Sequence, residues 1–297
     1  MRILGWIGAP VVVAGWLLAL GAVAPTDASP PTSPKRIVSV APSITEALFA
    51  VGAGDQVVGV SDYCSYPEQV RGLPRIGGLY NPRLELLAGL APDVVVTLES
   101  QRWLRDTLGR LGVASATVSM NSPASVPAAL EAIGAAAGRP AEGSALRQRV
   151  QERVAALLRT VPSGPPKRVL WVFEREPDSL TGMIGLGPTG YLHGLIEMAG
   201  GANVLEGAPT AVPAVSVERV IRLAPDVILE HAVFYAHLGD DWKARVSKPW
   251  QRLLGEDAVT KGRVRFVTEG AVMSPGPRLP EALALIIDLL HGTPDGG

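Results

Sequence analysis

The side chains that most often carry metal or nucleophilic chemistry are few in this chain and unevenly placed. All four histidines (His193, His231, His237 and His291) fall in the second half, and Cys64 is the single cysteine. The sequence contains no HExxH pair, no Gly-x-Ser-x-Gly elbow and no paired Cys–His spacing. We therefore expect no catalytic residues, no metal site and no resident cofactor.

One glycine pattern fits a nucleotide-binding loop. Residues 185–190 read GLGPTG, which matches GxGxxG, but a dinucleotide site needs these glycines directly after the first strand of its lobe. Here the ten residues 175–184 intervene, and Pro188 removes one N–H group that would hold phosphate. A nucleotide-dependent enzyme that uses Gly185–Gly190 is the alternative from another functional class. A glycine-rich loop at the edge of a ligand cleft is the simpler interpretation.

An internal duplication supplies the elements that position such loops. Residues 84–96 read LELLAGLAPDVVV and residues 217–229 read VERVIRLAPDVIL. In each copy a short helix closed by Ala-Pro leads into an aspartate and then a β-branched strand, which is typical of a sheet buried on both faces. The first strand of each copy is predicted at 36–40 and 168–173. We expect Ser43-Ile44-Thr45-Glu46 to form a capping box at the start of a helix, and Ser216 to cap the matching helix.

The fold class that follows is α/β, with two Rossmann-like lobes at residues 36–140 and 167–292, each built on a parallel sheet. Residues 141–162 place Leu146, Val150 and Val154 on one stripe of a long helix that joins the lobes. About 20 residues at 1.5 Å each make a rod of ~30 Å. Because the joint is one rigid helix, we expect a ligand cleft between the lobes and little closing motion.

The first 28 residues read as an export signal, because Arg2 is followed by an apolar stretch from Ile3 to Ala24 and a small-residue exit. An uncleaved anchor is the alternative, since about 20 apolar residues can span a bilayer. Residues 29–35 predict a Pro/Ser tether. A formal net charge of −1 excludes nucleic-acid binding driven by positive charge, and one cysteine excludes an intramolecular disulfide. We expect an exported monomer that binds a small molecule.

The loops that follow the predicted strands carry the candidate ligand contacts. Their tyrosine rings suit a large planar or polycyclic ligand, and an arginine offers a guanidinium fork to carboxylate, amide or phosphate groups. No catalytic constellation accompanies them, so binding fits better than turnover. The candidates in the first lobe are Pro42, Ser43, Tyr63, Tyr66, Leu79 and Tyr80, and those in the second are Glu174, Gly185, Tyr235 and Arg278.

Nearly the whole chain after the leader resembles the periplasmic vitamin-B12-binding proteins of ABC importers. The stretches that carry the resemblance lie at 36–78, 81–96, 195–207, 213–229 and 276–292, and include NPRLELLAGLAPDVVV and GPRLPEALALIIDLLHG. The resemblance extends to the wider class of binding proteins with a helical backbone. It implies a periplasmic receptor that captures a corrinoid and delivers it to a membrane permease, with a ferric siderophore or haem as the alternative ligand.

The resemblance also assigns residues. It implies that Glu85 and Glu218, the glutamate that recurs in the two copies, dock to arginines of the permease transmembrane subunits. Tyr63, Tyr66 and Arg278 match the B12-binding pattern. The chain departs from that pattern where Leu79 and Val212 replace tryptophans and where residues 179–180 lack an aromatic side chain.

Overall fold

The computed structural model describes residues 32–292, so the predicted export signal at 1–28 lies outside the described residues. The described end of the predicted tether packs on the first lobe. The Lys35 N–H donates to the Asp93 carboxylate at 2.7 Å, and the Pro34 carbonyl accepts from Gln56. Within residues 32–292, no helix combines the length and apolar character needed to cross a membrane.

The first lobe is built on a four-stranded parallel sheet of order β2–β1–β3–β4. Every residue of β1 is buried and the strands are rich in valine, as expected where helices cover both faces. The elements are β1 (Ile37–Ser39), α1 (Pro42–Ala50), β2 (Val57–Val60), α2 (Leu84–Gly89), β3 (Val94–Leu98), α3 (Arg102–Arg110), β4 (Ser115–Val118) and α4 (Val126–Ala136).

The second lobe repeats this plan, which confirms the predicted duplication. Its parallel strands have the order β7–β5–β8–β9, and a short antiparallel strand, β6, is added beside the end of β5. The elements are β5 (Lys167–Glu174), β6 (Ile184–Gly185), α6 (Tyr191–Met198), β7 (Gly201–Asn203), α7 (Val217–Leu223), β8 (Val227–His231), α8 (Trp242–Leu254), β9 (Val264–Val267) and α9 (Leu279–His291).

The two copies share individual hydrogen bonds. Asp93 accepts from the N–H of Arg36 at 2.9 Å, and Asp226 accepts from the N–H of Arg168 at 2.8 Å. Each arginine side chain then donates to carbonyls at the end of the helix that precedes the aspartate. The alanine of each Ala-Pro-Asp segment also has a left-handed backbone, with φ of 42° and 41°. The repeated motif therefore encodes one helix-to-strand connection used twice.

The predicted capping box is wrong, although Ser216 caps its helix as predicted by accepting from the Arg219 N–H at 3.2 Å. The N-cap of α1 is Ala41, which makes no side-chain capping bond, and Pro42 occupies the first turn. Proline suits that position because its missing N–H would have no partner there. Ser43 and Glu46 consequently lie inside the helix, where both side chains are buried.

The joining helix, α5, runs from Pro140 to Leu158. It packs closely on α4, because a Cβ added at Gly134 would lie 2.5 Å from the Gly143 Cα. It also contacts α9 of the second lobe, where Arg153 pairs with Glu281 at 2.9 Å. Buried apolar side chains from both lobes form one continuous cluster across these helices. The lobes are thus joined by shared packing and not by α5 alone.

The α4–α5 crossing generates a stability prediction. Gly134→Ala should lower the free energy of unfolding by about 1–3 kcal/mol, because the new methyl group meets the α5 backbone and forces the helices apart. Gly109→Ala in α3 is the matched control, since nothing lies within 4 Å of its added Cβ. The control should raise stability by up to about 1 kcal/mol through helix propensity. Urea denaturation followed by circular dichroism measures both, and equal effects would contradict the close crossing.

Candidate functional site

A cleft of about 520 Å³ lies between the two lobes. In the first lobe its lining comes from the segments that follow β1, β3 and β4, as expected for ligands that sit at the carboxyl ends of parallel strands. In the second lobe it comes from the start of α6 and the loop before α9. The lining residues are Ala41, Pro42, Ser43, Leu79, Leu98, Met120, Asn121, Thr189, Gly190, Tyr191, Met273, Ser274 and Pro275.

The lining is neutral. It contains no lysine, arginine, aspartate or glutamate, and its polar groups are hydroxyls and one side-chain amide. Three of the predicted contacts, Pro42, Ser43 and Leu79, belong to it. A neutral, largely apolar surface binds by dispersion and burial, with a few hydrogen bonds to set orientation.

The predicted tyrosines in the first lobe present exposed rings near this cleft. Tyr63, Tyr66 and Tyr80 are 66%, 51% and 72% exposed. The backbone beneath them is fixed by other side chains: Arg75 donates to the Cys64 carbonyl at 2.6 Å, and Gln101 donates to the Leu79 carbonyl at 2.6 Å. Three exposed aromatic rings are therefore presented on loops whose backbone is held by hydrogen bonds.

The lobes meet through a buried ion pair beside the cleft. Glu46 of α1 is 3% exposed. Its carboxylate accepts two hydrogen bonds from Arg278: Nε donates to Oε2 at 2.7 Å, and Nη2 donates to Oε1 at 2.6 Å. The Ser274 hydroxyl donates to the same carboxylate at 3.1 Å. The hydrogen bonds to Glu46 raise the pKa of Arg278. The guanidinium also lies over the Tyr66 ring, with its carbon 4.4 Å from the centroid.

Tyr191 is the buried polar group that the structure leaves unsatisfied at the cleft. It begins α6 directly after Gly190, whose φ of 97° favours glycine. Its hydroxyl is buried and has no hydrogen-bond partner among the described residues. Burial, and then the nearby Glu46 carboxylate, raise the pKa of this phenol. Tyr191 therefore stays neutral, and its unpaired hydroxyl is buried beside the cleft.

None of the four predicted contacts in the second lobe is among the lining residues: Arg278 pairs with Glu46 beside the cleft, and Gly185, Tyr235 and Glu174 lie outside the lining as well. Gly185 lies in β6, where an added Cβ would meet Leu205 at 2.5 Å, so it is required for packing. Tyr235 is 6% exposed and its hydroxyl donates to Glu230 at 2.8 Å. Glu174 is exposed at the end of β5.

Glu230 is the centre of a polar cluster inside the second lobe. It pairs with Arg175 at 2.9 Å, both side chains being fully buried, and it also accepts from the Trp250 indole. Arg175 in turn donates to three carbonyls of the loop at 176–179. Tyr235 is therefore part of the structure of this lobe, and burial together with Glu230 raises its pKa.

The glycine-rich segment does not form a phosphate cradle. The N–H groups of Gly185 and Gly187 donate to the carbonyls of Pro213 and Ala211, at 2.9 and 2.8 Å. A Cβ at Gly187 would lie 2.0 Å from the Thr210 carbonyl oxygen. The glycines let two segments of the lobe pack together, which accounts for the pattern without a nucleotide.

The described part of the chain also shows where the cysteine and the metal-ligating types of side chain lie. Cys64 is buried, with its sulfur 3.1 Å from the Thr45 hydroxyl and 3.2 Å from that of Ser61. Residues 32–292 contain no group of three or more His, Cys, Asp or Glu side chains that could hold a metal ion.

Glu85 and Glu218 occupy equivalent places, in the first turns of α2 and α7. Both are exposed, and exposed apolar side chains lie near them in the same helices, Leu86 and Ile221. Hydrogen bonds from its own N–H and from Ser216 lower the pKa of Glu218.

Comparison with known proteins shows which family this chain matches. Residues 37–246 match the family described as periplasmic binding protein. The chain belongs to this family. It is 26% identical over 272 residues to the vitamin B12-binding protein of Vibrio cholerae serotype O1, with 90% of this chain and 93% of that protein covered.

Two solved structures in the comparison share the arrangement of both lobes. The periplasmic vitamin B12 binding protein BtuF of Vibrio cholerae has a TM-score of 0.74 and 25% identity, and the match covers 88% of this chain and 98% of that one. The periplasmic heme-binding protein RhuT from Roseiflexus sp. RS-1, in its apo form, has a TM-score of 0.71 and 26% identity, covering 87% and 98%. The fold expected from the sequence, including the two parallel sheets, is confirmed.

Sequence reasoning missed Glu46 and Tyr191. Glu46 was interpreted as a capping residue, although it is the single charged side chain in the apolar helix PSITEALFA. A lone carboxylate among apolar residues is costly to bury without a cationic partner, and that signal was present in the sequence. Tyr191 carries no comparable signal, because its environment depends on the opposite lobe.

Two tyrosine variants test the unsatisfied hydroxyl. Tyr191→Phe should raise the free energy of unfolding of the ligand-free protein by about 1–2 kcal/mol, because a buried hydroxyl without a partner is removed. Tyr235→Phe is the matched control and should lower it by about 1 kcal/mol or more, because Glu230 loses a donor. Thermal and urea denaturation measure both. Destabilisation by both variants would show that the Tyr191 hydroxyl is bonded in the ligand-free protein.

Proposed function

We propose that this protein is the exported, non-enzymatic substrate-binding subunit of an ABC importer, and that its ligand is cobalamin or a related corrinoid. The observation that carries the ligand class is the neutral cleft lining beside the exposed tyrosines. A corrinoid has a broad, flattened ring edged mainly by uncharged amides. Such a ligand can be buried against apolar walls and hydroxyls without stranding a charge.

Haem is the second candidate ligand. Met120, Met273 and Tyr191 line the cleft, and thioether and phenol groups are among the side chains that can ligate haem iron. One of the similar structures is named as a heme-binding protein. Haem also carries two carboxylates, however, and the lining offers them no cation. The same argument disfavours ferric siderophores that carry net negative charge.

Export and the partner complete the proposal. Residues 1–28 direct the chain out of the cytoplasm and are either cleaved or kept as a membrane anchor. The protein acts as a monomer in the periplasm. No resident cofactor is required, because the corrinoid is the cargo. The permease receives the loaded protein through Glu85 and Glu218, one on each lobe, which suits a partner that presents two cationic sites.

Titration discriminates among the ligands. Isothermal calorimetry with cyanocobalamin, haemin and an anionic ferric catecholate siderophore should show cyanocobalamin binding at least about tenfold more tightly than the others, a difference of about 1.4 kcal/mol. The visible spectra of bound cobalamin and haem provide a second readout. Tight binding of haemin or the siderophore with no response to cyanocobalamin would overturn the corrinoid assignment. A parallel titration with NAD tests the enzyme alternative, and binding of NAD alone would overturn the assignment as an importer's binding protein.

Charge removal tests the docking glutamates. The double variant Glu85→Gln, Glu218→Gln should keep its affinity for ligand, because neither residue lines the cleft, but should lose transport with the cognate permease by about tenfold or more. The matched control is Glu152→Gln, Glu256→Gln, which removes two other exposed carboxylates. Ligand uptake by cells or proteoliposomes measures the effect. Unchanged uptake in the first variant would show that the two glutamates do not dock.

A further inference from the structure

Arg278 contacts two separate parts of the opposite lobe. It lies at the start of α9 in the second lobe, and its guanidinium Nε and one terminal nitrogen both donate to Glu46 of α1. Its face covers the ring of Tyr66, which belongs to the loop after β2. Ser274, four residues earlier in the chain, donates to the same carboxylate. We call Glu46, Ser274 and Arg278 the interlobe clamp.

The clamp commits one edge of the Arg278 guanidinium. Nε and one terminal nitrogen form a planar fork of the kind that recognises carboxylate, amide or phosphate groups, and this fork faces Glu46. Turning the fork towards a ligand would leave the Glu46 carboxylate, 3% exposed, buried without its counter-ion. Breaking a buried pair in this way is strongly unfavourable. One face of the guanidinium plane is covered by the Tyr66 ring.

The backbones of the two lobes also approach each other beside the clamp. A Cβ added at Gly276, between Ser274 and Arg278, would lie 3.4 Å from the Ser43 carbonyl oxygen. Ser43 itself lines the cleft, and so do Ser274 and Pro275. A change at the clamp therefore alters the spacing of two opposed walls of the cleft. It also alters the support beneath Tyr66 at the edge.

We propose that Arg278 is a positioning residue that acts through Glu46 and Tyr66, and that the interlobe clamp fixes the width of the cleft before ligand arrives. The proposal rests on the proposed function only for its choice of ligand. A cleft whose walls are already set loses less conformational entropy on binding, so the clamp contributes affinity without touching the ligand. This role differs from the direct contact that the sequence predicted for Arg278.

A double-mutant cycle separates the two roles. Glu46→Gln and Arg278→Gln should each weaken cyanocobalamin binding by about tenfold or more, and the double variant should be no more than about twofold weaker than the weaker single variant. Direct contact predicts instead that Arg278→Gln weakens binding well beyond Glu46→Gln, because only the first variant would remove a ligand contact. Arg278→Lys, which keeps the charge but not the fork, should bind more tightly than Arg278→Gln. Equal affinities for these two would contradict an action through Glu46.

Hydrogen exchange on ligand-free protein provides a readout that does not depend on the ligand. The amides of Asp62 and Cys64 are hydrogen-bonded within the loop that carries Tyr66. They should exchange about tenfold faster in Glu46→Gln and in Arg278→Gln than in the wild type, because the support beneath the loop is lost. The control is Arg153→Gln, which breaks the exposed ion pair with Glu281 and should change neither exchange nor affinity.

The two proposals fail in different ways. If the wild-type protein does not bind cyanocobalamin, the corrinoid assignment fails, whereas the exchange experiment still tests the clamp. If exchange in the loop is unchanged in both variants, the clamp is not what positions Tyr66 and the inference is wrong. Should Arg278→Gln fail to fold, Ser274→Ala and Arg278→Lys test the same prediction, since each weakens the clamp and leaves Glu46 with a partner.

Discussion

The buried carboxylate of Glu46 is the constraint on which the cleft depends. A charge at that position must be neutralised, and the structure does so with an arginine 232 positions further along the chain. This requirement sets where α9 begins, how closely the loop before it approaches α1, and therefore how two cleft walls face each other. The packing of α4, α5 and α9 provides the remaining apolar part of the same contact.

How much of this could be predicted from sequence depends on the range of each interaction. The duplication was readable because its signals are local: Ala-Pro ends a helix, and Asp93 and Asp226 then hold the amide that begins the neighbouring first strand. Glu46 was misread for the complementary reason. Ser43 and Glu46 have the spacing of a capping box, and only Pro42 in the first turn shows that the helix begins two residues earlier.

Tyr191 and Tyr235 show why candidate site residues are harder to predict than the fold. Tyr191 follows Gly190 and Tyr235 follows the end of β8, and only Tyr235 was among the predicted ligand contacts. In the structure Tyr235 points its hydroxyl at Glu230 in the core, whereas Tyr191 faces the other lobe and lines the cleft. Local sequence gives the chemistry of a side chain but not the distant residues that surround it.

Charged side chains are distributed differently in the interior, at the surface and in the cleft. Ionised groups are paired inside the lobes, as in Arg175 with Glu230, or between them, as in Arg278 with Glu46. They are exposed at the surface, as at Glu85 and Glu218, and they are missing from the cleft lining. A ligand with fixed charges would meet no complementary ion in that lining and would lose its hydration on entry. A neutral ligand avoids that cost, so the lining discriminates against anionic chelates without any specific repulsive contact.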